Sequence, residues 1–311
     1  MDPETQDFES LKLKYIIGLA APHTWPASVI PVFLGAALSY VLAGRWDPAL
    51  FGCLLIISIL MQSSVNTLND YCDYLKKNDT LENSDDPDDA ILVYFNVDPK
   101  AARLLGFGFL GIAALIGVWV TIQAGYIPLV IGIIGGVVLI LYSFGKLPIS
   151  YMPLGEFVSG FVMGGLITLA VYTALSGNFD LMSLLYSVPL IIGIALLMNT
   201  NNICDIEKDI PGGKKTITVL IGRERSRKLY ITLIVVWMIS IACIVLLYFP
   251  KGAVLLIPVI ACSVFLTVKQ MRLTLARDSR PQSMMGILRI KIILQLGYIA
   301  AILLHGILNQ G

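Results

Sequence analysis

Apolar residues in this chain fall in long blocks separated by short polar or Pro/Gly breaks. A helix needs about 20 residues to cross about 30 Å of hydrocarbon. Nine blocks approach or exceed that length, over 16–43, 49–75, 102–123, 126–145, 153–175, 181–204, 229–249, 252–268 and 286–308. The breaks between them leave no room for a soluble domain. Three connections are longer, at 76–101, 205–228 and 269–285. The pattern predicts an all-α integral membrane protein, a single domain over 1–311 with nine transmembrane helices and these connections as caps.

Two blocks end in polar residues of the same design. The second closes on Asn66-Thr-Leu-Asn69-Asp70-Tyr-Cys72-Asp73 and runs on to Asp79. The sixth closes on Asn201-Asn202-Ile-Cys204-Asp205 and runs on to Asp209. Shifting the first onto the second by 132 residues places Asn69 on Asn201, Cys72 on Cys204, Asp73 on Asp205 and Lys76 on Lys208. Each cluster ends the second helix of a four-helix set. The bundle is therefore expected to have two pseudo-symmetric halves, a leftover ninth helix and one site between the halves.

Composition agrees with the block pattern. Of 311 residues, 57% are hydrophobic and 14% charged, against about 25% charged in a typical soluble domain. A net charge of +1 excludes a strongly basic nucleic-acid binder. Five scattered cysteines with no CxxC pair point to neither zinc nor a disulfide framework. The first fourteen residues are acidic and polar, unlike the basic start of a signal peptide. Basic residues set the orientation. Of the 22 Lys and Arg, only Arg45 and Lys251 fall in the connections that follow odd-numbered blocks. The positive-inside rule then puts the N-terminus and both clusters in the cytoplasm, with the C-terminus outside a cell (inner) membrane.

Ionisable groups at the edge of a span are costly and mark function by default. Residues i and i+4 share a helix face, so Asn69 with Asp73, and Asp205 with Asp209, each aim two oxygens at one point. Asp79 lies about 240° around a continued helix from Asp73. It can join Asp73 only if the helix ends near Lys77–Asn78 and the chain turns back, with Asn78 suited to the left-handed turn. Carboxylate and amide oxygens without His or Cys favour a hard cation such as Mg²⁺, which keeps waters and bridges to substrate phosphates. Two facing clusters would hold two Mg²⁺ ions and one diphosphate. Lys146, Lys214 and Lys215 lie on the same side and suit phosphate. Asn66, Tyr142, Asn202 and His23 complete the candidate substrate contacts, although an interfacial His beside Trp25 also reads as a membrane anchor. Gly106-Phe-Gly108-Phe-Leu-Gly111 lies inside an apolar block with no preceding strand and is no dinucleotide site. Gly160-Phe-Val-Met-Gly164 reads as close helix packing.

Asn69-Asp70-x-x-Asp73 with Asp79, Asn202-x-x-Asp205-x-x-x-Asp209 and Gly213-Lys214-Lys215-Thr216 together resemble the UbiA superfamily of intramembrane prenyltransferases. Asp79 follows Asp73 by six positions, and Lys77 stands where a four-position spacing would put an Asp. This resembles the MenA-type 1,4-dihydroxy-2-naphthoate polyprenyltransferases, as do Pro26-Ala-Ser28, the acidic Asp86 to Asp89 stretch and Leu220-Ile-Gly222. Ala21-Pro22-His23 departs from relatives that carry a basic residue before the Pro.

The resemblance implies a cavity open sideways to lipid, with Mg²⁺–diphosphate under cytoplasmic loops. It implies transfer of a polyprenyl group from its diphosphate to the aromatic acid, with loss of CO₂, giving demethylmenaquinone in menaquinone biosynthesis. Metal ligands would be Asn69, Asp73 and Asp79 on one side and Asn202, Asp205 and Asp209 on the other. Asp73, Asp205 and Lys146 would act in catalysis, with Asp70 positioning the aromatic substrate or serving as a base. Alternatives are another aromatic acceptor (4-hydroxybenzoate, homogentisate or chlorin) and, from a different class, a cation-coupled transporter. A transporter should hold its sites near the bilayer midplane, whereas both clusters here end their spans.

Overall fold

The computed structural model describes residues 8–81, 87 and 90–310. Among these residues nine helices are long and apolar enough to cross a membrane, and no strand forms beyond one isolated bridge between Glu9 and Val97. Asp86 and Asp89 of the first long connection lie outside the described residues.

The first apolar block is not one helix. Helix α1 (Leu13–Ala20) stops at Ala21, which adopts φ 47°, and a 3₁₀ turn over Pro22–Thr24 leads into α2 (Pro26–Ala43). Apolar content made 16–43 continuous, but Pro22 cannot donate to the ladder and forces the break. Helix α3 (Pro48–Leu75) ties this corner down. Its Asn66 amide donates to the Ala20 carbonyl (3.0 Å) and to the Thr24 hydroxyl (2.8 Å), and Thr67 donates to the Leu19 carbonyl (3.1 Å). The chain continues as α4 (Pro99–Ala124), α5 (Tyr126–Ser143) and α6 (Gly155–Ser176). Then follow α7 (Met182–Cys204), α8 (Arg223–Tyr248), α9 (Pro250–Gln270) and α10 (Arg280–Gln310).

Helix α3 packs along α4, and α5 closes the first four-helix set against α6. In the second set α7 packs on α6 and α8, while α10 packs on α9, α7 and α2. The expected Gly160–Gly164 contact is present. A Cβ on Gly160 would lie 2.6 Å from the Ile191 carbonyl oxygen of α7, and one on Gly164 would lie 2.6 Å from the Ile191 nitrogen. This stretch of α6, Gly160–Leu166, winds as a π-helix, a departure from α geometry that often marks functional regions. The largest core joins α2, α7, α8 and α10 around Trp237, Tyr230, Tyr298 and Leu190, all fully buried. By contrast α4, α5 and α9 keep Leu115, Ile122, Ile133 and Ile257 exposed, as suits helices solvated by lipid. Lys291, grouped by sequence with the basic anchors of one side, is instead fully buried within α10 and donates to the Pro26 carbonyl (3.1 Å).

Candidate active site

The first cluster is built by the way α3 ends. The helix stops at Leu75 and Lys76 caps it. Lys77 takes the left-handed conformation, φ 56°, where the sequence pointed to Asn78. The turn-back itself occurs: the Asn78 N–H donates to the Asp73 carbonyl at 2.9 Å. Asn78 is then free of the αL position and uses its side chain, which donates to Asp73 Oδ1 (3.0 Å) and to the Tyr151 hydroxyl. Asn69 donates to Asp73 Oδ2 (3.2 Å) and accepts from the Ser143 hydroxyl (3.2 Å).

The second cluster departs further from expectation. Helix α7 ends at Cys204, Asp205 sits at its cap, and a short helix restarts over Ile206–Asp209. The Asp209 N–H still donates to the Asp205 carbonyl (2.8 Å), but the two carboxylates turn to different partners instead of converging on one point. Asp205 faces the cavity and pairs with Arg280 at 3.2 Å. Asp209 is buried, pairs with Lys214 at 3.2 Å and lies outside the cavity wall. Asn202 also points elsewhere: its amide donates to Glu156 Oε1 (2.8 Å) between α7 and α6. Asn201 lines the cavity in its place and accepts from Arg280 at 2.8 Å.

The two clusters meet. Lys208 of the second donates to Asp79 of the first at 2.6 Å. Gly212 allows the loops to approach, since a Cβ there would lie 3.0 Å from Asn78 Oδ1. Burial holds the Asp79 and Asp209 carboxyls above their ordinary range, outweighing the nearby Lys208 and Lys214 charges. Burial opposes the charge of Lys214, but Asp73 and Asp209 outweigh it and raise its pKa.

These groups rim a cavity of about 700 Å³. His23, Asn66, Asn69, Asp70, Asp73, Asp79 and Tyr142 line it, with Asn201, Asp205, Lys208, Lys214 and Arg280 opposite. Its depth is apolar, walled by Leu54, Met61, Leu110, Leu139, Val162 and Met163 from α3 to α6. No described residue of α8 or α9 reaches it. The mouth therefore spans the two halves, while the chamber is walled mainly by α2–α6, with Met198 from α7. Lys146 and Lys215 are exposed and lie outside the wall; the Lys215 N–H is spent on the Tyr151 carbonyl (2.8 Å).

Among the described residues no three His, Cys, Asp or Glu side chains converge on a metal-sized point. The mouth offers carboxylate–amide pairs instead, Asp73 with Asn69 and Asp205 with Asn201. Such an oxygen-only set fits Mg²⁺, which keeps several waters and takes remaining ligands from substrate phosphates.

Three functional candidates escaped the sequence reading. Arg280 counted only among the basic residues of one side, and Lys208 only as the repeat partner of Lys76. Glu156 did carry a signal, as the single carboxylate of the apolar run 153–175. It is buried, and its Oε2 has no hydrogen-bond partner.

Residues 28–293 match the UbiA prenyltransferase family. Over 206 residues the chain is 34% identical to the 1,4-dihydroxy-2-naphthoate octaprenyltransferase of Bacillus subtilis (strain 168), covering 66% of this chain and 65% of that protein. It is 28% identical over 227 residues to the UbiA prenyltransferase domain-containing protein 1 of Homo sapiens, covering 71% and 64%. The chain thus spans just under two thirds of the length of these relatives. Among solved structures, a UbiA homologue from Aeropyrum pernix K1 superposes with TM-score 0.66 at 17% identity, covering 92% of this chain and 98% of that one. One from Archaeoglobus fulgidus bound to DMAPP and Mg²⁺ gives 0.63 at 13% identity, with the same coverage. Motifs, fold and family match agree: the chain belongs to the UbiA prenyltransferase family.

Proposed function

We propose that this protein transfers a polyprenyl group from its diphosphate to 1,4-dihydroxy-2-naphthoate with loss of CO₂, a step toward menaquinone. The observation that carries this reading is the meeting of two carboxylate–amide clusters at the mouth of an apolar chamber. The mouth suits a metal-bound diphosphate and the chamber suits an isoprenoid tail. The naphthoate acceptor follows the name of the Bacillus relative, and Mg²⁺ with a prenyl diphosphate is what the Archaeoglobus homologue binds.

Charge supports two ions. The wall carries four carboxylates, Asp70, Asp73, Asp79 and Asp205, against three cations, Lys208, Lys214 and Arg280, a formal excess of one negative charge. Two Mg²⁺ with one trianionic diphosphate carry one net positive charge, so cavity and complex neutralise each other. Asn69 and Asp73 would hold one ion, and Asn201 and Asp205 the other. The metal would stabilise negative charge on the leaving diphosphate, worth several kcal/mol of barrier.

The chain's own groups do the rest. Lys208 and Lys214 exchange carboxylate for phosphate oxygens. The apolar wall excludes water from the allylic centre as its C–O bond breaks, which protects the cation from hydrolysis. The ring carbon bearing the carboxylate attacks, a C–C bond forms, and CO₂ leaves its bonding pair to the ring. No external base is required at that carbon, so Asp70 acts by orienting the acceptor hydroxyls, together with His23 and Asn66. The basic-residue bias supports a cytoplasmic mouth, with the C-terminus outside.

Protein in nanodiscs, given labelled prenyl diphosphate and each of several aromatic acids, tests the reading. Prenylated naphthoquinol with matching CO₂ release is expected. Turnover with 4-hydroxybenzoate alone would refute the acceptor assignment.

A further inference from the structure

The carboxylates of the mouth differ in what already holds them. Asp73 accepts from the neutral amides of Asn69 and Asn78; the Lys214 charge acts on it from a distance, while the Lys214 ion pair is made with Asp209. Asp205 is held by the Arg280 guanidinium, which also donates to Asn201. The Asp205 and Asn201 oxygens of the second metal face thus all point at one permanently charged group. Arg280 is the first residue of α10 and the sole residue of that helix lining the cavity. Its side chain is 25% exposed, with room to move toward a ligand in the mouth.

An amide yields to an incoming cation by turning its carbonyl toward it. A guanidinium cannot: it has five donors, no acceptor and no neutral form. A divalent ion at Asp205 would face Arg280 across one carboxylate, and two cations that close repel strongly. The ion gains Asp205 only if something anionic takes Arg280 away. A diphosphate in the mouth does this, because the planar fork of Arg matches phosphate oxygens in bidentate fashion.

Resting on the metal–diphosphate reading above, we propose that Arg280 is a substrate-binding residue that makes metal loading sequential. The Asn69–Asp73 face takes a divalent ion from the ligand-free protein. The Asn201–Asp205 face takes one only when the prenyl diphosphate draws Arg280 onto itself.

The test counts bound ions without turnover. Full-length protein in nanodiscs is titrated with Mn²⁺, followed by its paramagnetic resonance signal, alone, with inorganic diphosphate, with an unreactive prenyl thiodiphosphate, and with 1,4-dihydroxy-2-naphthoate. About one ion is expected alone and with the naphthoate, and about two with either diphosphate. Arg280→Gln should bind about two ions without diphosphate and show at least a tenfold higher KM for the prenyl donor. Two ions on the unliganded wild-type protein, or a second ion recruited by the naphthoate carboxylate, would overturn the proposal. So would an unchanged ion count in a folded Arg280→Gln. Failure of the acceptor assignment would leave these counts untouched, whereas no Mn²⁺ binding in any arm would remove the metal reading along with the inference.

Discussion

Lys77 decides where Asp79 goes. Its φ of 56° costs a side-chain-bearing residue about 1–2 kcal/mol, and a β-branched residue tolerates it least. Lys77→Gly should therefore keep activity and raise the unfolding midpoint, whereas Lys77→Val should misplace Asp79 and lower prenyl transfer with little change in expression. Transfer assays beside thermal melts of both variants check this. Buried carboxyls bear on pH as well. Asp79 and Asp209 have raised pKa values, so on acidification they take up protons before an exposed carboxylate does. The charge that attracts divalent ions is present above the raised values and lost as pH falls through them. Mn²⁺ titrations at stepped pH should show affinity falling while ordinary carboxylates remain ionised. Spacing and residue type singled out Asn69, Asp73 and Asp205, and all three line the cavity. The 132-residue shift also pairs Asn201 with Asn69, and Asn201 lines the cavity, while Asn202, taken as a ligand from its spacing, turns to Glu156, a partner 46 residues away.

At the scale of elements, α6 against α7 is the contact on which the second cluster's position depends. Gly160 and Gly164 let α7 approach at Ile191, and α7 then delivers Asn201 and Asp205 to the mouth. Gly164→Ala places a methyl 2.6 Å from the Ile191 backbone nitrogen, and overpacking of this kind costs about 1–3 kcal/mol. The expected result is a lower unfolding temperature in detergent together with weaker metal binding. Helix existence and most helix ends followed from apolar block length. Two features did not: the break at Ala21–Thr24 and the interrupted helix at Asp205. Both are local backbone events inside or beside sequence that would support a continuing helix, and tertiary ties such as Asn66 to Ala20 hold the first of them.

At the scale of the whole molecule, paired polar clusters on equivalent spans showed that one site joins two halves. They did not show that the chamber is walled mainly by α2–α6, with Met198 of α7, because apolar lining residues look like any other apolar residue of a membrane helix. Orientation can be checked independently. With native cysteines replaced, a cysteine at exposed Lys251 should react with an impermeant thiol reagent added outside cells, and one at exposed Lys146 only after the membrane is opened. The reverse pattern would invert the topology. The central claim is that two facing clusters together grip one metal-bound diphosphate, and single-ligand substitution tests it most directly. Mg²⁺-dependent prenyl transfer by Asp73→Ala and by Asp205→Ala, each verified as folded in nanodiscs, should fall at least about 1,000-fold, equivalent to about 4 kcal/mol of lost barrier stabilisation. Near-wild-type transfer by either variant would contradict the account.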